Sequence, residues 1–185
     1  MDAFENLIAM LLRRDGYWTA TSVKVVLTPE EKRRIGRHSC PRWEIDVVAY
    51  QGATNQILAV ECKSYLDSTG VLFRNGQFEP PHRFKLFTDT VLRDTVLNRL
   101  KLQLVESKAC SINPSIKLCL AAGHIARKSD RASMSAHFKE HGWELIDETK
   151  IREKLRTAAK AGYENDVAHV VAKLLERSRG QILDD

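Results

Sequence analysis

Residues 43–64 read WEIDVVAYQGATNQILAVECKS and contain two runs of apolar and β-branched residues on either side of the segment QGATN. Runs of this kind, separated by a short connection that contains Gly, predict a β-hairpin with strands over 43–50 and 56–64. The second strand begins with apolar residues and ends with Glu61 and Lys63. Side chains two positions apart share one face of a strand, so a carboxylate and an ammonium group stand side by side at its end.

The position of the turn determines which residues of the hairpin face each other. Centring it on QGATN places Asp46 opposite Glu61 and Glu44 opposite Lys63. A slip of one residue would send every side chain to the other face, so Asp46 faces Glu61 only in this register. Facing carboxylates repel, and the pKa of one of them rises unless a positive charge lies nearby. Lys63 supplies one such charge, and a divalent cation would supply more.

Asp46, Glu61 and the backbone carbonyl of Cys62 would together offer the hard oxygen ligands that Mg²⁺ prefers, with water completing its shell. A metal ion at this point lowers the pKa of bound water and screens a phosphoryl group. Lys63 would orient the attacking water or stabilise the charge that develops on phosphate. The alternative is a solvated ion pair at a sheet edge, which is what an E-x-K spacing alone usually represents.

The strands WEIDVVAY and ILAVECKS resemble those of the PD-(D/E)XK nuclease superfamily, in particular the Mrr-like restriction endonucleases and the Holliday-junction-resolvase-like branch. The family pattern has an acidic residue on the first helix, an Asp on the second core strand and E-x-K on the third. Glu5, Asp46 and Glu61 with Lys63 stand at these positions. Ile45 replaces the Pro that the family has before its Asp.

The resemblance covers about residues 3–147 and implies a restriction-endonuclease-like core. It implies a divalent-metal-dependent endonuclease that hydrolyses phosphodiester bonds of DNA. Mg²⁺ is the implied cofactor, Mn²⁺ is a substitute for it, and RNA stays open as a substrate. In this assignment Asp46 and Glu61 bind the metal, Glu5 supports them and Lys63 assists the nucleophilic water.

Hydrophobic periodicity predicts the other elements of one domain over residues 1–185. Their order, α-β-β-β-α-β-α-β-α, predicts an α/β protein with a central mixed sheet and helices on both faces. The predicted elements are a helix over 3–14, a strand over 17–27, a long helix over 86–107, a strand over 115–123, a helix over 129–142 capped by Ser129, a strand over 143–147, and one or two helices over 149–178 with a break at Gly162.

Residues 65–85 form an irregular stretch that has no counterpart in the minimal family core. Within it, VLFRNGQFE (71–79) carries the tight-turn pair Asn75-Gly76 between two apolar runs. This pattern predicts a small extra hairpin. We expect the hairpin to protrude near the site and to be removable without loss of the fold.

Residues 28–42, TPEEKRRIGRHSCPR, are polar and basic and form either a short helix after Pro29 or an exposed loop. Basic side chains neutralise backbone phosphates without reading sequence, so this segment is a candidate nucleic-acid contact. The alternative is a solvated charge run, which Glu30 and Glu31 dilute. The candidate contact residues are Lys32, Arg33, Arg34, Arg37 and Arg42, with His38 beside them.

Three further features carry weaker signals. His137 and His141 have a spacing that suits a metal ion, but no third ligand is evident and a solvent-facing pair is favoured. Gln103 matches a Gln found after E-x-K in some family members, although a solvated helix residue is favoured. A C-terminal apolar stripe either completes the core or forms the seam of a homodimer; it comprises Val167, Val170, Val171, Leu174 and Leu175.

The composition fits a soluble globular protein. The 185 residues are 43% hydrophobic and 29% charged, with a formal net charge of +5, and these proportions are ordinary. No stretch reaches the roughly 18 apolar residues of a membrane span, and the N-terminus lacks a signal cleavage site, so we expect no membrane contact. Four cysteines without a C-x-x-C pair favour reduced thiols, and with them a cytoplasmic location, over disulfides or a zinc site.

Two other functions remain as alternatives. One is a catalytically inactive nucleic-acid-binding module with the same fold, which would need no metal. The other is a protein-interaction domain that uses the C-terminal stripe, in which the basic segment would be incidental.

Overall fold

The computed structural model describes residues 2–36 and 42–181. Its strands are β1 (Trp18–Val25), β2 (Trp43–Gln51), β3 (Gln56–Lys63), β4 (Leu72–Arg74), β5 (Gln77–Glu79), β6 (Ser115–Ala122) and β7 (Glu144–Ile146). Its helices are α1 (Ala3–Arg14), α2 (Pro29–Arg34), α3 (Lys85–Thr88), α4 (Thr90–Glu106), α5 (Lys128–Glu140), α6 (Glu148–Lys160) and α7 (Val167–Gln181), with a short 3-10 helix at Pro81–Arg83.

The central sheet has five strands in the spatial order β1-β2-β3-β6-β7. Its first two pairings are antiparallel and the other two are parallel, so the sheet is mixed. The hairpin is paired in the register that a turn centred on QGATN predicts, with Tyr50 opposite Ile57 and Val47 opposite Val60, and the backbone pairing stops before it reaches Asp46 and Glu61. The prediction of an α/β protein with a mixed central sheet flanked by helices is therefore confirmed.

Two apolar clusters cover the two faces of the sheet. On one face, α1 and α6 pack against residues that include Val47 and Leu58. On the other face, α4 and α5 pack against residues that include Ile45 and Leu120. Because strand side chains alternate between faces, successive residues of one strand serve opposite clusters, and this explains the continuous apolar runs in β3 and β6.

Several predicted boundaries are confirmed and one cap is wrong. The break at Gly162 separates α6 from α7, as predicted. Ser129 does not cap α5, because the helix begins at Lys128 with Arg127 at the N-cap position. Ser129 lies in the first turn instead, where its hydroxyl donates to the Asp130 carboxylate at 3.3 Å.

The helix predicted over 86–107 is divided at Asp89, whose side chain caps α4 by accepting a backbone N–H. Further along α4, Gln103 fastens the helix to the edge strand β1. Its Nε2 donates to the carbonyl of Lys24 at 3.0 Å, and its Oε1 accepts the N–H of Val26 at 3.1 Å. Gln103 is therefore a structural clamp and not a solvated helix residue.

The extra hairpin exists, but it does not protrude. Asn75 and Gly76 have φ angles of 49° and 77°, as a tight hairpin turn requires. Phe73 and Phe78 pair across the hairpin, and each is only 2% exposed. The Phe78 ring stacks on Phe84 with centroids 4.4 Å apart. The hairpin belongs to the apolar cluster under α4 and α5, so the expectation that it is removable is wrong.

The C-terminal helix α7 packs against the rest of the protein through residues that include Ala168 and the buried His169. Ala168 contacts the α1–α6 cluster. The predicted apolar stripe does not complete the core, since Val167, Val171, Leu174 and Leu175 are exposed. A homodimer seam stays a prediction. Among the residues described, no helix combines the length and apolar character that crossing a membrane needs.

Truncation of Phe78 tests whether the hairpin β4–β5 belongs to the core. Phe78→Ala should lower the free energy of unfolding by about 3–5 kcal/mol, because it leaves a cavity in a packed aromatic cluster. The exposed neighbouring position provides the control, and Gln77→Ala should change stability by about 0.5 kcal/mol or less. The measurement is urea unfolding followed by circular dichroism. An equal, small effect of both substitutions would contradict the placement of Phe78 in the core.

Candidate active site

The structure brings Asp46, Glu61 and Lys63 to the end of the sheet where β2 begins and β3 ends. Backbone pairing between these strands runs from Gln51 opposite Gln56 to Val47 opposite Val60 and goes no further. Beyond that point Asp46 Oδ2 accepts the backbone N–H of Cys62 at 2.6 Å. A side-chain carboxylate thus takes the place that a backbone carbonyl of β2 would have in a regular ladder.

Asp46 also lies at a break in the alternation of β2. Ile45 packs into the cluster under α4 and α5, whereas Val47 packs into the cluster under α1 and α6. Residues two positions apart normally share one face. The paired strand β1 is irregular at the facing position, where Ser22 adopts the left-handed conformation with φ 52°. Such local irregularities re-aim a side chain, and they recur at functional sites.

Glu61 and Lys63 form an ion pair at the end of β3, with 2.6 Å between Lys63 Nζ and Glu61 Oε1. Their side chains are 16% and 19% exposed, so the pair is largely shielded from water. Both flank Cys62, which packs on the α1 side of the sheet. The two charged side chains therefore lie on the opposite face, where β3 has no further apolar residue to bury.

The pKa of Asp46 is raised from 3.8 to about 6. Burial is the main cause, and repulsion by the Glu61 carboxylate adds to it, whereas the Cys62 N–H and Lys63 act in the opposite direction. Burial would lower the pKa of Lys63, but the charge and hydrogen bond of Glu61 outweigh it and hold that pKa above its ordinary value. Lys63 is therefore a cation at neutral pH, whereas the surroundings of Asp46 disfavour its ionised form.

Cys62 contributes its backbone and not its thiol. Burial raises the pKa of the thiol, and the Asp46 charge raises it further, so the sulfur stays protonated. In a strand the N–H and C=O of one residue point to the same side. Since the Cys62 N–H points to Asp46, its carbonyl is also turned toward that side. Its oxygen therefore lies on the side of β3 that faces Asp46.

The chain after Lys63 is held against the end of β6. The N–H of Gly123 donates to the Lys63 carbonyl at 2.9 Å. A Cβ at position 123 would collide with the carbonyl oxygen of Ser64, so only glycine allows this approach. A cleft of about 410 Å³ opens between the start of α1 and residues 64–68. The segment that follows β3 therefore lines this cleft, whereas Asp46, Glu61 and Lys63 are not among its lining residues.

Glu5 lies on α1, near the site but with a structural role of its own. Its carboxylate accepts the N–H of Asp2 at 3.4 Å and completes a capping box. Its charge contributes to raising the pKa of the Cys62 thiol. The charges that shift the pKa of Asp46 are Glu61, Lys63 and Glu44. Support of a metal by Glu5 stays a prediction.

The basic segment begins with α2, the short helix expected after Pro29. Arg33 and Arg34 are exposed on it, and Lys32 is half-buried. Arg42 is exposed just before β2, and Arg37 lies outside the described residues. Binding of nucleic acid by these residues stays a prediction.

α2 has a fixed position relative to the candidate site. Thr28 and Glu31 form a capping box at its start. Glu31 also binds Arg99 of α4, with 2.9 Å between Oε1 and Nη2. Val25, which ends β1, pairs with Trp43, which begins β2. The helix that follows β1 is therefore at the same end of the sheet as Asp46.

A cluster of potential metal ligands lies at the end of α5, and its third member was not predicted from the sequence. The spacing of His137 and His141 suits a metal ion, and the structure adds Glu140, so that the ligand atoms of the three lie within 4.8 Å of one another. The sequence signal was present as H-x-x-E-H over residues 137–141. Burial lowers the pKa of His137, and His141 lowers it further.

No family model, no curated protein and no solved structure matches this chain.

The raised pKa of Asp46 predicts a pH-dependent gain in stability for Asp46→Asn, which keeps an oxygen to accept the Cys62 N–H. Between pH values of about 4 and about 6 the folded wild type binds more protons than the unfolded chain, so its stability falls as pH rises through this window. The variant lacks this loss. In EDTA it should be more stable by about 1–3 kcal/mol above pH 6 and no more stable below pH 4.

The measurement is urea unfolding of both proteins at intervals from pH 4 to pH 8. Glu44→Gln is the matched control, because Glu44 lies on the same strand but is exposed and should show a much smaller change. If Asp46→Asn were less stable than wild type at pH 8, with the same pH dependence, the folded protein would not disfavour the ionised form of Asp46.

Proposed function

We propose that this protein is a Mg²⁺-dependent endonuclease that hydrolyses phosphodiester bonds of DNA, with the restriction-endonuclease-like core of the PD-(D/E)XK superfamily. One observation carries the proposal. The Asp46 carboxylate interrupts the β2–β3 ladder by accepting the Cys62 N–H, and its pKa is raised beside Glu61 and Lys63. A partly buried acid whose pKa is perturbed by burial and by a specific charged neighbour is a common setting of a functional group.

The residues at this edge fit a hard divalent cation. Asp46 and Glu61 would hold it, with the Cys62 carbonyl as a third oxygen, and Mg²⁺ keeps several waters beside so few protein ligands. Burial is the main cause of the raised pKa of Asp46, and the repulsion by Glu61 that adds to it is what a cation would relieve. When bound, Mg²⁺ supplies Lewis acidity toward water and phosphate. The thiol of Cys62 stays protonated, which agrees with oxygen ligation.

Lys63 acts as a fixed positive charge in this proposal. Its pKa is held above the ordinary value by Glu61, so it does not take up a proton as a general base. It would donate hydrogen bonds to the attacking water or to a phosphate oxygen on which negative charge develops. The ion pair with Glu61 holds its ammonium group in place for that task.

The substrate follows from charge and position. Arg33 and Arg34 are exposed at the same end of the sheet as the acidic pair, and the chain as a whole has a net charge of +5. A basic border beside a metal-binding carboxylate pair suits a phosphate backbone. DNA is the proposed substrate, RNA stays open, and a cytoplasmic location remains part of the proposal.

A cleavage assay tests the proposal directly. Wild type should cut at least one member of a panel of duplex, branched, single-stranded and modified DNA, and RNA, with Mg²⁺ or Mn²⁺, and none with EDTA. Asp46→Asn and Glu61→Gln should lose at least about 100-fold in rate, because each removes a metal ligand. Lys63→Ala should also be slow, but it should still bind Mn²⁺ in a thermal-shift titration, since it removes no metal ligand.

Glu44→Gln is the matched control and should cut at nearly the wild-type rate. Metal should stabilise wild type by about 1.4 kcal/mol at ten times its dissociation constant, and Asp46→Asn should lose most of this gain. Binding to nucleic acid that ignores both metal and Asp46→Asn, without cleavage, would support an inactive binding module. A wild type that responds to neither metal nor nucleic acid would refute both functions.

The basic helix makes a separate prediction about affinity. Replacing Arg33 and Arg34 together by Ala should weaken binding about equally for all sequences, because phosphate contacts carry no sequence information. The slope of log affinity against log salt should flatten by about 1–2, since up to two phosphate contacts are lost. Lys108→Ala, in the turn after α4, is the control. An unchanged salt slope in the double variant would remove α2 from the binding surface.

A further inference from the structure

The last turn of α5 and the residue that follows it carry a compact cluster of potential metal ligands. One ligand atom each of His137, Glu140 and His141 lies within 4.8 Å of the other two. Positions three and four apart are neighbours on a helix surface, so the helix itself holds these side chains together. We propose that this cluster is a second metal site and that it binds Zn²⁺ through the two imidazoles and the carboxylate.

A hydrogen bond prepares His141 for this role. Its Nδ1 lies 2.9 Å from the backbone carbonyl of His137, and since a carbonyl can only accept, Nδ1 carries the proton. The neutral ring therefore presents the lone pair of Nε2. A contact of this kind, from the second ring nitrogen to a backbone carbonyl, is the one that orients most histidine ligands of metal ions.

Aromatic packing fixes the two rings relative to each other. Their centroids are 4.1 Å apart. Trp143 lies against both, at 4.5 Å from His141 and 5.6 Å from His137. Phe73 holds the other side of His137 at 5.2 Å. Rings that are already held in place lose little freedom when they bind a metal ion, and this raises the affinity.

The ligand chemistry selects the class of metal. Two imidazoles and one carboxylate suit Zn²⁺, whereas Mg²⁺ prefers oxygen ligands alone. The negative end of the α5 dipole also favours a cation at this turn. Three protein ligands leave a fourth position open. His137 and His141 line a cleft of about 370 Å³ together with Arg93 and Trp143, so water or an anion can reach that position.

This site is separate from the candidate active site and does not rest on the proposed nuclease function. β6 ends beside Lys63, at the end of the sheet where Asp46 lies. α5 then runs back along the sheet to the point where β7 begins. The cluster at the last turn of α5 therefore lies away from the end of the sheet that carries Asp46, and the two sites can be altered independently.

The test is a Zn²⁺ titration of the full chain in competition with a chromophoric chelator, together with the imidazole NMR signals. Wild type should bind Zn²⁺ at this cluster and shift the signals of His137 and His141. His141→Ala should weaken that binding at least about 10-fold, and Glu140→Gln by several-fold. Both residues are exposed, so neither change should unfold the protein. His82→Ala, at an exposed histidine on the 3-10 helix, is the matched control and should bind as wild type does.

Asp46→Asn separates this inference from the proposed function, because it should leave the Zn²⁺ affinity and the histidine signals unchanged. If His141→Ala binds Zn²⁺ as tightly as wild type, the cluster is not the site and the inference fails. It also fails if Asp46→Asn, and not His141→Ala, removes the binding. Retention of Zn²⁺ binding by a protein that cuts no nucleic acid would refute the nuclease proposal alone.

Discussion

The hydrogen bond from the Cys62 N–H to the Asp46 carboxylate determines the geometry of one whole end of the sheet. It stops the pairing of β2 with β3 after Val47 and Val60. It also satisfies a backbone donor that would otherwise be left without its ladder partner, which would cost about 1–3 kcal/mol if the group were buried. The same contact holds a carboxylate where burial disfavours its charge. The fold thus keeps an unfavourable charge in place with a favourable hydrogen bond.

The irregular backbone around Asp46 is the second part of this arrangement. A regular β2 would continue its alternation through position 46, and Ile45 and Val47 would share a face; instead each anchors a different apolar cluster. The packing of Ile45 and Val47 on opposite faces of the sheet holds this break in the alternation in place. Ser22 on β1 accepts the corresponding distortion in its left-handed conformation. Strain at one point is maintained because the packing around it is extensive and specific.

The sequence predicted the hairpin register, because the segment QGATN indicated where the turn lies, and it predicted the charged residues at the end of β3. It did not predict the burial of Phe73 and Phe78, because two aromatic residues in a short turn-rich segment look the same whether the hairpin packs inward or outward. The break in the alternation at Asp46 has no signature in the local sequence either, because it arises from packing on both faces of the sheet. Glu140 was not predicted as a metal ligand, because the prediction depended only on the spacing of His137 and His141.

The change from antiparallel to parallel neighbours at β3 has a consequence for the route by which the chain folds. β2 and β3 pair across the short connection 52–55, whereas β3 and β6 are joined only after the long segment between Lys63 and Ser115 has been ordered. Closing a longer loop costs more entropy, so local pairing precedes distant pairing. The strands that carry Asp46 and Glu61 therefore meet early, while the partner that supports the end of β3 through Gly123 arrives late. Asp46 and Glu61 are therefore brought together before the strand that supports the end of β3 has joined the sheet.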